Sequence, residues 1–160
     1  MIDSEIYDEA VRVLEACRAA GLTVATVESC TGGLVAAALT AVAGSSDVVD
    51  RGFVTYTDEA KSELVGVPAG LFARVGAVSE EVARAMAAGG LERSRADIAV
   101  GITGVAGPGQ SENKPAGLVH VSAARRGGGT VHERCMFEGD RAAVRRASVL
   151  KAFELIRRLA

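Results

Sequence analysis

The chain has 160 residues, 49% hydrophobic and 24% charged, a composition typical of one globular domain with its own core. Its 18 Lys and Arg residues against 20 Asp and Glu residues leave a net charge of −2, which argues against a module that binds duplex nucleic acid. Aromatic residues make up only 4%, which argues against a stacking surface for single strands, and no apolar run reaches the ~20 residues of a membrane span.

Helical and strand-like segments alternate along the first two-thirds of the chain, and a hairpin and a long helix follow. Apolar residues recur at helical spacing in the helices, and short β-branched runs mark the strands. The first predicted elements are, in chain order, a helix over Asp3–Ala20 that ends at Gly21, a strand over Leu22–Val27, a helix over Leu34–Val42 and a strand over Arg51–Tyr56. Two helices follow, over Asp58–Leu64 and Glu80–Leu91, with Thr57 and Ser79 as their caps. The last predicted elements are a strand over Ile98–Ile102, hairpin strands over Gly117–Ala124 and Thr130–Phe137, and a helix over Asp140–Leu159. This order predicts one three-layer α/β/α domain over residues 1–160, with a mixed β-sheet between the helices.

Three polar, glycine-rich segments each follow a predicted strand. They are Glu28–Gly33, Tyr56–Lys61 and Thr103–Gly109. Because ligands of open α/β sheets bind at the carboxyl ends of the strands, we expect the three segments to meet at one site.

The first segment delivers a hydroxyl group to the start of a predicted helix. Free N–H groups and the positive end of the helix dipole at that place can bind an anion or stabilise an oxyanion. Ser29 is therefore a candidate nucleophile, although a plain helix cap by Ser29 or Thr31 explains the pattern as well. Cys30 is a rival nucleophile, because a helix N-terminus lowers the pKa of a thiol.

The second segment places Tyr56 five residues before Lys61, one of only three lysines in the chain. By itself this spacing is typical of a solvated helix face. Beside Ser29 it gains a chemical meaning, because serine and lysine form a known nucleophile–base pair and a tyrosine can relay the proton. Such a base requires burial that lowers the pKa of the lysine.

The third segment is neither a Walker A loop nor a dinucleotide fingerprint, but its glycines leave backbone N–H groups open to a phosphate. Arg141 follows Asp140, the predicted cap of the last helix, so it lies beside further free N–H groups and its planar guanidinium suits a phosphate. An ordinary loop and a solvated arginine are the alternatives.

The histidines and cysteines predict no metal centre. His120 and His132 fall within the hairpin strands and are expected to be sheet-face residues. Cys17, Cys30 and Cys135 are an odd number without CxxC or CxxH spacing, so we expect reduced thiols, a cytoplasmic location, and neither a zinc site nor a disulfide.

Taken together, five segments in this order resemble the CinA C-terminal domain family over about residues 5–159. They are Val27–Gly33, Tyr56–Lys61, Gly76–Ala83, Thr103–Pro108 and Lys114–Gly117. Gln110 departs from the family pattern, since glycine is common at that position, and Thr55 and Thr57 stand where many relatives have serine.

The resemblance implies a nicotinamide-nucleotide amidase that converts nicotinamide mononucleotide to nicotinate mononucleotide and ammonia in pyridine nucleotide recycling, with no metal or cofactor. It implies that Ser29, Tyr56 and Lys61 form the catalytic group, and that the protein is a homodimer with a small-molecule nucleotide as substrate. The residues expected to contact the substrate are Glu28, Thr31, Gly32, Gly33, Thr103, Gly104, Gly107 and Arg141. The N–H groups of residues 31–33 are the expected oxyanion hole.

Two other classes of function stay open at this point. A nucleotide-binding regulatory module of the same family would keep the Thr103–Gly109 loop and would not need Lys61. A DNA-related accessory protein is the second, and the acidic charge balance argues against it.

Overall fold

The computed structural model describes residues 2–160, which are built around one five-stranded sheet. The strands are β1 (Val24–Glu28), β2 (Val49–Val54), β3 (Ile98–Gly104), β4 (Leu118–Arg125) and β5 (Thr130–Met136). They lie in the order β2-β1-β3-β4-β5. Strand β1 is parallel to β2 and β3, β4 is antiparallel to β3, and β5 is antiparallel to β4. The predicted mixed sheet and the predicted hairpin are confirmed.

Helices cover both faces of this sheet. They are α1 (Ser4–Ala20), α2 (Leu34–Thr40), α3 (Asp58–Val65), α4 (Ala69–Val75), α5 (Glu80–Glu92) and α6 (Arg141–Leu159). A short 3-10 turn over Ser45–Asp47 leads from α2 into β2. Helices α1, α2 and α6 share one core with the sheet, whereas α3, α4 and α5 pack on the opposite face. The predicted three-layer arrangement is therefore confirmed.

Two apolar cores hold the sheet from its two sides. Ile6, Leu14 and Phe153 are fully buried in the larger core, and Val82 and Met86 in the smaller one. Burial of each such side chain stabilises the fold by about 1.5–3 kcal/mol relative to exposure. Because both faces of β1 and β3 are covered, the strand ends that carry the polar segments are held in fixed positions.

Side chains cap the helices as the sequence predicts. The hydroxyl or carboxylate of each cap residue accepts a hydrogen bond from the backbone N–H three residues later, which satisfies one of the free donors at the helix start. The pairs are Thr57 with Ala60 at 3.0 Å, Ser79 with Val82 at 3.2 Å, and Asp140 with Ala143 at 2.9 Å. Helix α1 ends at Gly21, whose φ of 69° permits the left-handed C-cap.

The observed strands differ from the predicted ones at their ends. Strand β2 lies two residues earlier than predicted, because its parallel partner β1 ends at Glu28, opposite Val54. Tyr56 therefore lies beyond the strand. Strand β3 continues through Thr103 and Gly104, because β4 supplies pairing partners for both residues. The loop after β3 thus begins at Val105.

Helix α4 has no counterpart among the predicted elements. It buries none of its residues fully, so its sequence carries no clear apolar stripe. Pro68, which sits at its start, was the one local signal. None of the helices in residues 2–160 is long and apolar enough to cross a membrane.

Candidate active site

The three polar segments meet at one cavity of about 380 Å³, as the sequence predicts. Strands β1, β2 and β3 are parallel, so their carboxyl ends open onto the same edge of the sheet. Ser29, Lys61 and the loop after β3 contribute to the cavity wall, and Arg141 adds the first turn of α6. Ala77 and Val78 add a further segment, so residues from five separate parts of the sequence surround one space.

A direct contact between Lys61 and Ser29 lies at the base of this cavity. The Nζ atom of Lys61 lies 3.0 Å from the Oγ atom of Ser29. Both residues are buried, with only 1% of Lys61 and 8% of Ser29 exposed. The backbone carbonyl of Tyr56 accepts a hydrogen bond from the same Nζ at 3.2 Å and lies 3.5 Å from the Ser29 hydroxyl. The arrangement is that of a nucleophile and its base, both oriented by one fixed acceptor.

Burial shifts Lys61 towards its neutral form. Loss of hydration lowers the pKa of its ammonium group, and the negative charges of Asp58 and Glu112 oppose that shift only in part. Among residues 2–160, no carboxylate lies within ion-pair distance of this nitrogen. A lysine in such surroundings can accept a proton from a hydroxyl group.

The phenol of Tyr56 does not stand between the two catalytic candidates. Its side chain is 59% exposed, and its hydroxyl lies 3.4 Å from the guanidinium of Arg141. Proton transfer between Lys61 and Ser29 does not require a relay through this phenol, because the two residues contact each other directly, and the relay stays a prediction. Tyr56 contributes its backbone carbonyl to the catalytic pair and its ring to the mouth of the cavity.

Cys30 lines the same cavity but is a poor nucleophile there. Burial raises the pKa of its thiol to about 12, and the nearby charges of Lys61 and Arg145 offset little of that effect. The expected lowering by a helix N-terminus is absent, because the first N–H groups of α2 already have acceptors. Of the two neighbouring candidates, only Ser29 has a base within hydrogen-bond distance.

Glu28 is the residue that occupies those N–H groups. Its buried carboxylate accepts hydrogen bonds from the N–H of Val35 at 2.9 Å and of Ala36 at 3.0 Å, and from the hydroxyl of Thr26 at 3.1 Å. Glu28 was expected to contact the substrate, but its carboxylate oxygens are occupied by these donors and it does not line the cavity. Glu28 instead joins the end of β1 to the start of α2 and so fixes the turn that carries Ser29.

The remaining residues of that turn lie behind the cavity. The N–H of Gly32 donates to the carbonyl of Ser29 at 3.0 Å, so this member of the expected oxyanion hole already has an acceptor. The positive φ angles of Gly32 and Gly33, 58° and 101°, allow the tight turn. Thr31 is fully buried, and Arg145 of α6 donates to its carbonyl at 3.0 Å.

The loop after β3 forms the opposite end of the cavity. Thr103 uses its hydroxyl internally, as a donor to the carbonyl of Ala77 at 2.9 Å, and Gly104 packs against β4 with no room for a side chain. The N–H groups of residues 106, 107, 109 and 110 have no acceptor within residues 2–160. The carbonyl of Gly107 accepts a hydrogen bond from Arg141 at 2.6 Å, which places the guanidinium at the edge of these open donors. This end can bind an anion.

The sequence of the chain was compared with those of known protein families and proteins. Residues 7–160 match the sequence profile of the CinA C-terminal domain. The chain belongs to this family. It is 49% identical over 158 residues to the nicotinamide-nucleotide amidohydrolase PncC of Escherichia coli (strain K12), a match that covers 98% of this chain and 95% of that protein.

Solved structures of the CinA family share the whole fold. The competence/damage inducible protein CihA from Agrobacterium tumefaciens superposes with a TM-score of 0.95 at 46% identity, covering 99% of this chain and 98% of that one. A CinA superfamily protein from Klebsiella pneumoniae superposes with a TM-score of 0.92 at 39% identity, covering 96% of each chain.

One cavity-wall residue of this CinA domain, Glu112, was missed by the sequence reasoning. The carboxylate of Glu112 accepts hydrogen bonds from the N–H groups of Ala77 at 3.0 Å and Val78 at 3.2 Å. Lys114 donates to the carbonyls of Val75 at 2.8 Å and Val78 at 2.5 Å. Burial opposes the charge of Glu112, but its N–H and Lys114 partners hold its pKa below the usual value. Lys114 lies in a family segment, whereas nothing in the local pattern marked Glu112.

The two histidines are sheet-face residues, as predicted. Nδ1 of His120 lies 3.0 Å from Nε2 of His132, and Nδ1 of His132 lies 2.5 Å from the hydroxyl of Ser122. Burial, with the charge of His132, lowers the pKa of His120 to about 4, so it is neutral at pH 7. Across the described part of the chain, no group of three or more His, Cys, Asp or Glu side chains could hold a metal ion.

Proposed function

We propose that this protein hydrolyses the carboxamide of nicotinamide mononucleotide to nicotinate mononucleotide and ammonia. The observation that carries the proposal is the 3.0 Å contact between the buried amine of Lys61 and the hydroxyl of Ser29. A primary amide is unreactive, and such a pair supplies the nucleophile and the base that its hydrolysis requires. The Escherichia coli relative named a nicotinamide-nucleotide amidohydrolase supports the choice of substrate.

Neutral Lys61 starts the reaction by accepting the proton of Ser29. One N–H of the amine stays bonded to the carbonyl of Tyr56, which points its lone pair towards the hydroxyl. The Ser29 oxygen bonds to the carboxamide carbon, and the tetrahedral intermediate collapses as the C–N bond breaks. Lys61 returns the proton to the leaving nitrogen, which departs as ammonia. The nicotinoyl group is then held as an ester of Ser29.

A water molecule completes the cycle on the same base. Lys61 takes a proton from the water, whose oxygen bonds to the ester carbon, and the proton passes to the Ser29 oxygen as the ester bond breaks. The backbone N–H of Cys30 is the proposed oxyanion donor, since it adjoins the nucleophile and has no acceptor within residues 2–160. One such donor typically contributes ~10²–10³ in rate.

The other end of the cavity is the proposed phosphate site. Four open N–H groups of the loop after β3 and the guanidinium of Arg141 provide donors for the phosphate oxygens. With the carboxamide at Ser29 and the phosphate at Arg141, the nucleotide spans the cavity. Thr103 and Gly104 serve the site by shaping this loop, whereas the N–H of Gly107 is one of the four loop donors proposed to face the ligand.

Two further points belong to this proposal. We propose a homodimer, which the family resemblance implies, and a cytoplasmic location, which the three free thiols support. Light scattering on the purified protein and fractionation of cells test them. The acidic net charge of −2 supports a small-molecule partner over a nucleic acid.

Release of ammonia from nicotinamide mononucleotide is the decisive experiment. Purified protein should release one ammonia for each nicotinate mononucleotide formed, and Ser29→Ala should abolish both products. Nicotinamide riboside, which lacks the phosphate, should react much more slowly. Binding of the mononucleotide without any ammonia release would replace the enzyme with a regulatory nucleotide-binding module.

A further inference from the structure

The cavity carries more negative charge than the proposed mechanism uses. Asp58 and Glu112 both line it, together with the basic residues Lys61 and Arg141. Glu112 pairs with Lys114, whereas the carboxylate of Asp58 has no cationic partner among residues 2–160. Asp58 therefore leaves one negative charge at the cavity that no neighbouring cation balances. This charge fits a ligand that carries a positive charge as well as a phosphate.

The two carboxylates are held in different ways. Glu112 is fixed by the N–H groups of Ala77 and Val78 and by Lys114. Asp58 is the first residue of α3, is exposed, and has no hydrogen-bond partner for its carboxylate among residues 2–160. Both act on Lys61, because each raises the pKa that burial lowers. Both carboxylates are therefore close enough to act on a charge placed beside the catalytic pair.

The proposed substrate places a positive charge there. The ring nitrogen of nicotinamide mononucleotide carries the ribose and is a quaternary pyridinium, two bonds from the ring carbon that bears the carboxamide. When the carboxamide carbon lies at Ser29, the ring charge lies near Lys61. A carboxylate that faces this space attracts the ring, whereas a protonated lysine would repel it.

We propose that Asp58, together with the fixed carboxylate of Glu112, determines specificity by selecting substrates whose amide is attached to a cationic ring. This inference rests on the proposed function and names the part of the substrate that the carboxylates recognise. A favourable interaction with the helix dipole would explain an acid in the first turn of α3 equally well. Glu59 lies in the same turn, where it also interacts with the helix dipole, but it does not line the cavity. A comparison of Asp58 with Glu59 therefore separates the two explanations.

The test compares two ligands that differ in the charge of the ring. Nicotinamide mononucleotide has a cationic ring, whereas its reduced dihydropyridine form keeps the phosphate, ribose and carboxamide with a neutral ring. Calorimetric titration at low ionic strength uses the Ser29→Ala protein, which holds either ligand without hydrolysis. The same titrations are repeated with Asp58→Asn or Glu59→Gln added, after a thermal melt shows that each variant is folded.

Asp58→Asn should weaken the affinity for the oxidised nucleotide about three- to five-fold, the range of a partly exposed ion pair. The affinity for the reduced nucleotide should stay nearly unchanged. Glu59→Gln removes the same charge from the same turn and should change neither affinity. The preference for the oxidised form should shrink as salt is added, because salt screens exposed charges.

The outcomes separate this inference from the proposed function. Equal weakening of both nucleotides by Asp58→Asn, or of neither, overturns the role of Asp58, even when the native protein releases ammonia. Discrimination by Asp58 without ammonia release upholds recognition of a cationic ring and overturns hydrolysis. Failure of the Ser29→Ala protein to bind either nucleotide overturns both.

Discussion

The carbonyl of Tyr56 lies between Lys61 and Ser29 as a shared acceptor, 3.2 Å from the amine and 3.5 Å from the hydroxyl. A backbone acceptor cannot lose a proton or leave the site by rotation, so it holds the amine towards the serine in every protonation state. It also carries no full negative charge, and therefore does not stabilise the ammonium form as a carboxylate would. The pair thus combines fixed geometry with a lowered lysine pKa.

Lys61→Arg should be almost as inactive as Lys61→Ala, with a loss of at least about 10²-fold in kcat. An arginine keeps the positive charge but cannot accept a proton at pH 7. The same substitution at Lys151, which pairs with Glu133 and Glu154 away from the cavity, should leave ammonia release unchanged. A Lys61→Arg enzyme with a near-native rate would show that the base lies elsewhere.

The rate of the native enzyme should rise with pH through the pKa of Lys61. Burial lowers this pKa below the ordinary value of 10.5, and only the neutral amine accepts a proton, so activity is lost as pH falls through the lowered value. A cationic ring beside the amine disfavours the ammonium further. The midpoint of the rise of kcat with pH should therefore lie at lower pH than the midpoint for kcat/KM. The reverse order would contradict this account.

Ser29→Ala should lower kcat by about 10³-fold or more, whereas Cys30→Ala should retain most of it. Burial keeps the Cys30 thiol protonated, and no base lies within hydrogen-bond distance of it in residues 2–160. Steady-state ammonia release measures both variants. An active Ser29→Ala enzyme beside an inactive Cys30→Ala enzyme would reverse the assignment.

Arg141→Ala should weaken the affinity for the mononucleotide about 10- to 150-fold and the affinity for the riboside far less, because it removes a charge-assisted contact with the phosphate. Arg146 lies in the same helix but pairs with Asp3 and Glu5 instead of lining the cavity. Arg146→Ala is therefore the matched control, and it should bind both ligands as the native protein does. Equal weakening of nucleotide and riboside by Arg141→Ala would remove Arg141 from the phosphate site.

Glu28→Gln should lower the free energy of unfolding by about 1–3 kcal/mol, because an amide cannot accept from both buried N–H groups at the start of α2. Urea denaturation measures this loss, and the exposed Glu63→Gln should change stability by less than about 0.5 kcal/mol. The pH profile of the remaining activity should not move. A shifted profile with unchanged stability would return Glu28 to the proton-transfer machinery.

The features that depend on local chemistry, or on the general rule that ligands bind at the carboxyl ends of parallel strands, could be predicted from the sequence. The caps at Thr57, Ser79 and Asp140 follow from a short polar residue before a helix, and the meeting of Ser29 with Lys61 follows from the shared edge of parallel strands. What the sequence could not reveal depends on contacts between distant residues. The length of β3 depends on pairing with β4.

The same reason explains why the surroundings of Glu28 and Glu112 could not be predicted. The local sequence around a carboxylate in a polar segment does not reveal whether it faces a ligand or a backbone N–H. Only the tertiary structure shows that Glu28 faces α2 and that Glu112 faces Ala77 and Val78.

The segment from Gly107 to Lys114 is fastened at both of its ends. Arg141 holds the carbonyl of Gly107, while Glu112 and Lys114 bind backbone groups between Val75 and Val78. Moving this loop away from the cavity would break charge-assisted hydrogen bonds to two separate parts of the chain at once. The loop is therefore unsuited to open and close over the site. Substrate and product are expected to pass the exposed Tyr56 ring at the mouth of the cavity, without movement of this loop.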